Sequence, residues 1–295
     1  MKSSENVLPL AKEFIYRSAR LLDRRRFEYH FEGGSREAVI SVLRAYQNLD
    51  GGFGSAFEPD LRGPHSQPVA TEEALLILDE LGGGEPDMLA RITAFVGGIT
   101  REGGGVPQTL IQVQDYPHAP WWETEEDSKP ALNPTGRLIG LLFKLGAFAG
   151  SSAPDWHDRT LAFLWKQTET VRDVDYHDWI QVLSFLVHVP DRERAVPELE
   201  RVGALIRSSG VIELDPYAAG YVHPILEWAP APGSLCRSYF TDEQVEQHLD
   251  ALIETQNEDG GWSLSFPTLS TAADGEWRSY LTMKNLLILR AYGRI

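Results

Sequence analysis

Gln-Asn-x-Asp-Gly-Gly-aromatic is written twice in this chain. It stands near the start as "QNLDGGF" (Gln47 to Phe53) and near the end as "QNEDGGW" (Gln256 to Trp262). A motif repeated at such separation constrains the fold more than composition does, because it marks a recurring structural unit. Each copy follows an amphipathic helical pattern. Val39, Val42, Leu43 and Tyr46 precede the first, and Val245, Leu249, Leu252 and Ile253 precede the second. Both patterns predict helices with one apolar face. Thr241 to Gln244 reads as a capping box opening the second of them. The segments after each copy differ. "EEALLILDEL" (Glu72 to Leu81) and "YLTMKNLLILRAY" (Tyr280 to Tyr292) are apolar nearly all round, which is expected of helices buried on every side. One-faced helices alternating with fully buried ones would produce two concentric rings.

Weaker copies fill the middle of the chain. "ITREGGGVP" follows a helix expected over Pro86 to Gly98. "NPTGRLIGLLFKLGA" opens with Asn133 as N-cap and Pro134 at the first helical position. "HDRTLAFLWKQ" leads to "HDWIQVLSFLVH", and "VPELERVGALIRSSG" leads to "YAAGYVHPILEW". "LAKEFIYRSARLL" supplies one more buried helix near the N-terminus. The expectation is about eleven or twelve helices, no period-two strand and no dividing linker, so one domain over residues 1–295. Within the motif, Asp-Gly-Gly ends a helix, since glycine takes left-handed backbone angles without strain. Gln47 and Gln256 are placed to hydrogen-bond open backbone groups at a neighbouring helix end. Phe53 and Trp262 are placed to wedge against the next helix. The motif is therefore read as a structural corner.

Composition excludes several functions. The formal charge of −16 argues against nucleic acid, which needs a basic footprint, and against anionic lipid. The longest apolar stretch, Leu138 to Gly150, is too short to span a membrane and is broken by Lys144. "MKSSENVLPL" has no apolar signal core, and Cys236 is the single cysteine, so a reducing cytoplasm is expected. The oligomeric state is left open.

"QNLDGGFG" and "QNEDGGW" resemble the glutamine–aromatic (QW) repeats of squalene–hopene cyclases, class II terpene cyclases and protein prenyltransferase β subunits. "QNLDGGFGSAFEPDLRGPHSQPVATEEALLIL" also resembles a group of uncharacterised bacterial proteins labelled prenyltransferase-like. The resemblance implies an all-α fold, an α/α toroid, with a small-molecule ligand in its central cavity. Fold alone licenses no activity.

In such a ring, the segments entering the buried helices would converge. They carry Glu58, Asp60, Arg62, His65 and Gln67; Trp121 and Trp122; Asp173, Asp175, His177 and Trp179; Tyr217, His223 and Glu227; and Trp277 and Arg278. Carboxylates, histidines, arginines and aromatics around one concavity make a ligand site. Class II cyclases protonate an alkene with the middle acid of Asp-x-Asp-Asp. By that resemblance Asp175 would be the donor and Asp173 its partner, although Tyr176 stands where the third aspartate belongs. Helix capping before "HDWIQVLSF" accounts for the same carboxylates more simply. The loop "FEPDLRGPHSQP" is stiffened by prolines and is expected either to orient a ligand or to be pinned by a bridge from Glu58 or Asp60 to Arg62. Zinc is not indicated, because the Asp-x-Cys pair of prenyltransferases is absent: Ser234 precedes Cys236 where the aspartate would be. No spacing of His177, Asp175, Asp215 and His223 matches a metal signature, and no cofactor is expected. Diphosphate binding would ask for clustered cations. Arg62, Arg278 and Lys284 are candidates among mostly acidic neighbours.

Three functions follow. The first is a terpenoid-cyclase-like or prenyltransferase-like protein holding an isoprenoid-type ligand. Asp175 would be its acid, and Trp121, Trp122, Trp179, Trp228 and Trp277 would face developing positive charge. The second is a carbohydrate-active α/α-barrel enzyme pairing Glu58 or Asp60 with Asp175 or Glu227. The third is a non-catalytic binding or interaction protein on the same scaffold.

Overall fold

The computed structural model describes residues 4–149 and 155–295. Among them are twelve α-helices and a single pair of two-residue strands, so the fold is all-α. No helix among the described residues is long and apolar enough to cross a membrane. Met1 to Ser3, which open the N-terminal stretch read for a signal, and Gly150, the end of the longest apolar stretch, lie outside the described residues.

The chain packs as two units, one built from the residues up to Val42 together with Ile206–Ile295, the other from Leu43–Leu205. Neither boundary is a linker. One falls inside α3 (Arg36–Arg44) and the other inside α9 (Arg192–Ser209).

The unit over Leu43–Leu205 contains α4 (Pro68–Glu80), α5 (Pro86–Ile99), α6 (Leu132–Lys144), α7 (Asp155–Thr170) and α8 (Tyr176–His188). Proline at the first helical positions starts α4 and α5, where its missing N–H costs no hydrogen bond. Alternation of one-faced and buried helices is borne out here. α4, α6 and α8 are the buried helices, with α6 packed between α4 and α8, while α7 packs on α6 and α8. Gly136 and Gly140 explain how closely α6 meets α8. A Cβ on Gly136 would lie 2.5 Å from the Gln181 carbonyl oxygen, and one on Gly140 would lie 2.4 Å from that of Ser184. The contacts advance in the same direction along both helices, so α6 and α8 run parallel.

The repeated corners have one geometry. In the first, Asn48 N–H donates to the Gly52 carbonyl (2.9 Å) and Gly51 N–H to that of Asn48 (3.0 Å). Gly51 has φ +95°, and a Cβ there would sit 2.1 Å from the Arg91 carbonyl oxygen of α5. Gln47 Nε2 donates to the carbonyls of Gly51 (2.9 Å) and Met88 (3.3 Å). The weaker copy repeats this. Arg101 N–H donates to the Gly105 carbonyl, and Gly104 (φ +81°) is pressed against the Arg159 carbonyl of α7. In both, the backbone N–H two residues beyond the positive-φ glycine finds a buried threonine: Phe53 N–H donates to Thr71 Oγ1 (3.1 Å) and Val106 N–H to Thr135 Oγ1 (2.9 Å). The corner ties the end of one one-faced helix to the next one-faced helix and to the buried helix that follows.

The other unit holds α1 (Val7–Ser18), α2 (Leu21–Phe31), α10 (Ile225–Trp228), α11 (Asp242–Glu254) and α12 (Thr271–Ala291). α1, α2 and α12 pack together, and α10 packs on α11. Its corner matches the first residue for residue. Gln256 Nε2 donates to the carbonyls of Gly260 (2.9 Å) and Val7 (3.0 Å), and Gly260 (φ +92°) touches the Leu10 carbonyl of α1. The capping box of α11 is present, with Gln244 N–H on Thr241 Oγ1 and Gln244 Oε1 on Thr241 N–H.

Three local expectations are corrected. "LAKEFIYRSARLL" is not one helix: the chain is extended at Ala19 and Arg20, and α2 begins at Leu21. "YAAGYVHPILEW" is mostly not helical. Ile212–Glu213 (β1) pairs in parallel with His223–Pro224 (β2), and only the single turn of α10 follows, with Pro224 as its N-cap. Asn133 does carry non-helical dihedrals before Pro134, but its Oδ1 accepts from Gln181 Nε2 (3.2 Å) instead of capping α6.

Candidate functional site

The loop from Phe57 to Pro68 is fixed by backbone, not by a ligand. Arg62 N–H donates to the Pro117 carbonyl and Ala119 N–H to that of Asp60, so the loop pairs with residues 116–122 of the same unit. Arg62 Nη1 donates to the Pro59 carbonyl (3.0 Å). Gln67 Oε1 accepts from Leu110 N–H (2.8 Å), which commits it to structure. His65 is exposed and stacks edge-on against Tyr116. Glu58 is 3 % exposed. Its Oε2 accepts from Asp60 N–H (2.9 Å), while Oε1 is buried without a hydrogen-bond partner, as is the indole Nε1 of nearby Trp122. Burial, reinforced by the Asp60 carboxylate, pushes the Glu58 carboxyl well above the ordinary range. The hollow lined by Glu58, Phe57, Leu61, Val113 and Pro117 has room for about one water molecule. A carbon ligand does not fit there.

The Asp173–Trp179 segment is simpler than the cyclase resemblance implies. Asp173 and Asp175 are exposed. Asp175 Oδ1 accepts from Asp178 N–H (3.1 Å) as the N-cap of α8. His177 is exposed, and Trp179 is fully buried with its indole N–H unpartnered. Trp121 is exposed. A residue not singled out from the sequence, Glu72 on α4, has a stronger signature. It accepts from Gln181 Nε2 (2.8 Å) and lies 3.4 Å from Arg137 Nη1, joining α4, α6 and α8. Burial outweighs Arg137 and raises its carboxyl to about 7. A carboxylate opening an otherwise apolar helix was the available signal.

A roomier hollow lies within the other unit. Leu226, Leu252, Leu281, Ile288, Trp262, Pro216 and Pro224 form apolar walls around about 180 Å³, and Glu227, Lys284, His248 and Asn285 supply polar groups. Glu227 sits on the single turn of α10. Its Oε1 accepts from Lys284 Nζ of α12 (2.8 Å), and its Oε2 accepts from His223 Nδ1 (2.8 Å). Burial alone would raise this carboxyl, but Lys284 and His223 overcome it and hold Glu227 at about 2. It is therefore an anion at neutral pH, not a general acid there. His248 is 4 % exposed; its Nε2–H donates to the Leu214 carbonyl (3.1 Å), and burial lowers its pKa, so the ring is neutral. Asn285 is 6 % exposed, and among the described residues its amide makes no hydrogen bond.

Other expected ligand residues are engaged elsewhere. Tyr217, 58 % exposed, donates to Glu254 Oε2 (2.6 Å). Arg278 holds both oxygens of Asp259 at 2.8 Å and lies over the Phe14 ring, bracing the corner. Trp277 packs edge-on against Phe266 and Tyr280. Trp228, wholly structural, donates its indole N–H to the His223 carbonyl (3.2 Å). Cys236 is buried, which pushes its thiol up to about 12. No group of three or more His, Cys, Asp or Glu among the described residues could hold a metal ion. Sequence reasoning named Glu227, His223 and Lys284 but missed His248 and Asn285. A lone Asn inside "TMKNLLIL" was the signal for the second.

Comparison of the chain with family models and with curated proteins returned no match.

Proposed function

We propose that this protein binds a small, uncharged, partly apolar ligand of isoprenoid type, in the cleft walled by Leu226, Leu252, Trp262, Leu281 and Ile288. What carries the reading is the Lys284–Glu227 pair set into that apolar wall. The two charges neutralise each other inside the cleft, so an anion meets no uncommitted positive charge there and a cation no uncommitted negative one. A cavity of about 150 Å³ accommodates benzene, so 180 Å³ suits a body of five to seven carbons. The closed ion pair speaks against a diphosphate, and the terpenoid-cyclase resemblance of the glutamine–aromatic corners is consistent with a branched hydrocarbon ligand. Glu227 is not a proton donor, so the cleft supports binding and not acid-initiated cyclisation.

The test is ligand-observed NMR with 3-methylbut-2-en-1-ol, its diphosphate and a maltose control, on wild type and on Leu281→Trp. The alcohol is expected to bind wild type and to lose at least tenfold in affinity when the indole fills the cleft. Equal binding to both proteins, or none to wild type, refutes the reading.

A second reading rests on Glu58, a buried carboxyl in the loop that the resemblance singles out, whose Oε1 lacks a hydrogen-bond partner and whose pKa burial raises. If it is a general acid, Glu58→Gln abolishes product formation from a polyprenol panel without changing the melting temperature.

A further inference from the structure

The rim of the cleft carries what its interior lacks. Pro216 and Pro224 both line the cleft, and the chain between them bears Tyr217 and Tyr221, with Leu214 just before. All three are large apolar side chains more than half exposed. Exposed apolar residues scattered singly are ordinary, but three on one short loop bordering an apolar cleft mark a contact surface. The loop is held in this display. Tyr217 N–H donates to Asp215 Oδ1 (2.9 Å), Ala218 N–H to the Asp215 carbonyl (3.2 Å), and the Tyr217 hydroxyl to Glu254 Oε2 (2.6 Å). Tyr221 packs edge-on against His223 and Phe266.

The open charges beside these side chains are of one sign. Lys284 is committed to Glu227 and Arg294 to Glu246 and Asp250, whereas Glu213, Asp215 and Glu254 enter no ion pair among the described residues. These carboxylates share the rim: the charges of Asp215 and Glu213 act on His248 in the cleft wall, and those of Glu254 and Asp250 act on the Tyr217 hydroxyl.

An acidic and apolar rim around an apolar cleft selects its occupant by complementarity. A second copy of this chain brings a net charge of −16 and is repelled. Nucleic acid and anionic lipid are repelled likewise. A free hydrocarbon small enough for the cleft leaves Leu214, Tyr217 and Tyr221 in water. The matching occupant has a branched apolar group for the cleft, cations for the carboxylates, and further atoms to lie on the tyrosines. A basic polypeptide segment has all of these: a leucine or isoleucine side chain, and flanking lysines or arginines, whose guanidinium planes stack on tyrosine.

We infer that this rim and cleft form a docking surface for a basic segment of a partner protein. The segment seats one branched aliphatic side chain among Leu226, Leu252, Leu281 and Ile288 and sets its cations against Glu213, Asp215 and Glu254. The inference rests on the binding reading above, in that the cleft must admit an apolar group. The seated side chain supplies the lasting contact, while the rim carboxylates supply attraction at a distance. The two parts therefore separate kinetically: rim charge sets association, and filling of the cleft sets dissociation.

The experiment is stopped-flow fluorescence anisotropy of the full chain with a fluorescein-labelled peptide, Gly-Lys-Arg-Leu-Arg-Lys-Gly, and two relatives. One has glycine for the leucine; the other has glutamate for every lysine and arginine. The leucine peptide is expected to bind wild type about tenfold more tightly than the glycine peptide, as burial of one leucine side chain gives, and the glutamate peptide is expected not to bind. Raising salt from about 0.1 to about 1 M, which shortens the screening length from about 10 to about 3 Å, should slow association severalfold. Glu213→Gln, Asp215→Asn and Glu254→Gln together should slow association in the same way with dissociation little changed, since the amides keep the acceptor oxygens that hold the loop. Leu281→Trp should instead speed dissociation to that of the glycine peptide; should that variant not fold, the glycine peptide on wild type gives the same information. Equal binding of the leucine and glycine peptides, equal binding of the leucine and glutamate peptides, unchanged association in the triple variant, or no binding to wild type overturns the docking surface. So does equal sedimentation of wild type and triple variant with neutral phosphatidylcholine vesicles, which makes the rim a lipid contact. Titration with 3-methylbut-2-en-1-ol in parallel separates the two readings: the alcohol displaces the leucine peptide if both hold, and if it binds wild type alongside any of these failures, only the docking surface falls.

Discussion

Replacing Gly51 by alanine tests the corner on which the fold is built. Two costs add at this position. The backbone has φ +95°, a conformation that costs an L-residue roughly 1–2 kcal/mol. The new Cβ would also lie 2.1 Å from the Arg91 carbonyl oxygen and 2.6 Å from its carbon, both backbone atoms of α5 that no rotamer change can move. The turn and the helix must separate by about 1 Å to reach ordinary contact, a distortion of the kind that costs about 1–3 kcal/mol. Separation also stretches the Gln47 hydrogen bond that reaches α5 at Met88, worth about 1 kcal/mol. The sum is roughly 3–6 kcal/mol. Gly82 supplies the control. It too has positive φ, +77°, but a Cβ there meets nothing within 4 Å. Gly82→Ala should therefore show the conformational cost alone, about 1–2 kcal/mol. The assay is urea denaturation of both variants and wild type followed by far-UV circular dichroism, with the slopes compared so that only midpoint changes are read as stability. Gly260→Ala, with its Cβ 2.0 Å from the Leu10 carbonyl oxygen, should behave as Gly51→Ala does. If Gly51→Ala and Gly82→Ala agree within about 0.5 kcal/mol, the close backbone approach contributes nothing and the corner is not a clamp.

Glu72 makes the stability of its unit fall with rising pH. Its folded-state pKa, about 7, lies above the unfolded value, so its contribution is complete below about pH 4 and is lost as pH climbs through 7, by roughly 3 kcal/mol. Denaturation at pH 5 and pH 8 should show that loss in wild type and a smaller one in Glu72→Gln, with Glu58 contributing in the same direction; an unchanged slope in the variant would refute the assignment. Glu227 behaves oppositely: its pKa of about 2 is depressed, so its contribution is present above the unfolded value and disappears only as pH falls through 2. Lys284→Met should therefore destabilise at pH 7 by about 2 kcal/mol or more and much less near pH 2, read by thermal melts at both. Asp175→Ala should cost only the loss of an N-cap, about 1 kcal/mol, and Asp175→Asn almost nothing; a tenfold loss of any measured activity in Asp175→Asn with unchanged stability would reinstate it as a chemical group.

The corners were readable because their chemistry is local. Gln47 and Gln256, the turn glycines and the capping box of α11 act within a few residues of themselves, so spacing alone announces them. Helix periodicity was readable for the same reason, and it separated the buried helices α4, α6 and α8 from their one-faced neighbours. The break at Ala19 and Arg20 and the loss of helix before α10 were not, because apolar pattern continues through both while extended backbone and the β1–β2 pairing decide otherwise.

Site chemistry divided along the same line. The sequence could nominate Glu58, Asp175 and Glu227 as carboxylates, but a carboxyl's protonation depends on what surrounds it. Only packing made Glu58 a buried acid, Asp175 an exposed cap and Glu227 a locked anion. His248 and Asn285 were invisible for a further reason. Each sits on a helix whose pattern marks it only as inward-facing, and an inward-facing polar residue is a ligand group or a satisfied core group according to partners supplied from distant segments, here Leu214 for one and none for the other. The sequence by itself determined where helices end and turn, since those interactions close within one turn of chain. The tertiary structure alone decided charge state and open hydrogen-bonding capacity, since desolvation and partnership are properties of the neighbours that folding brings.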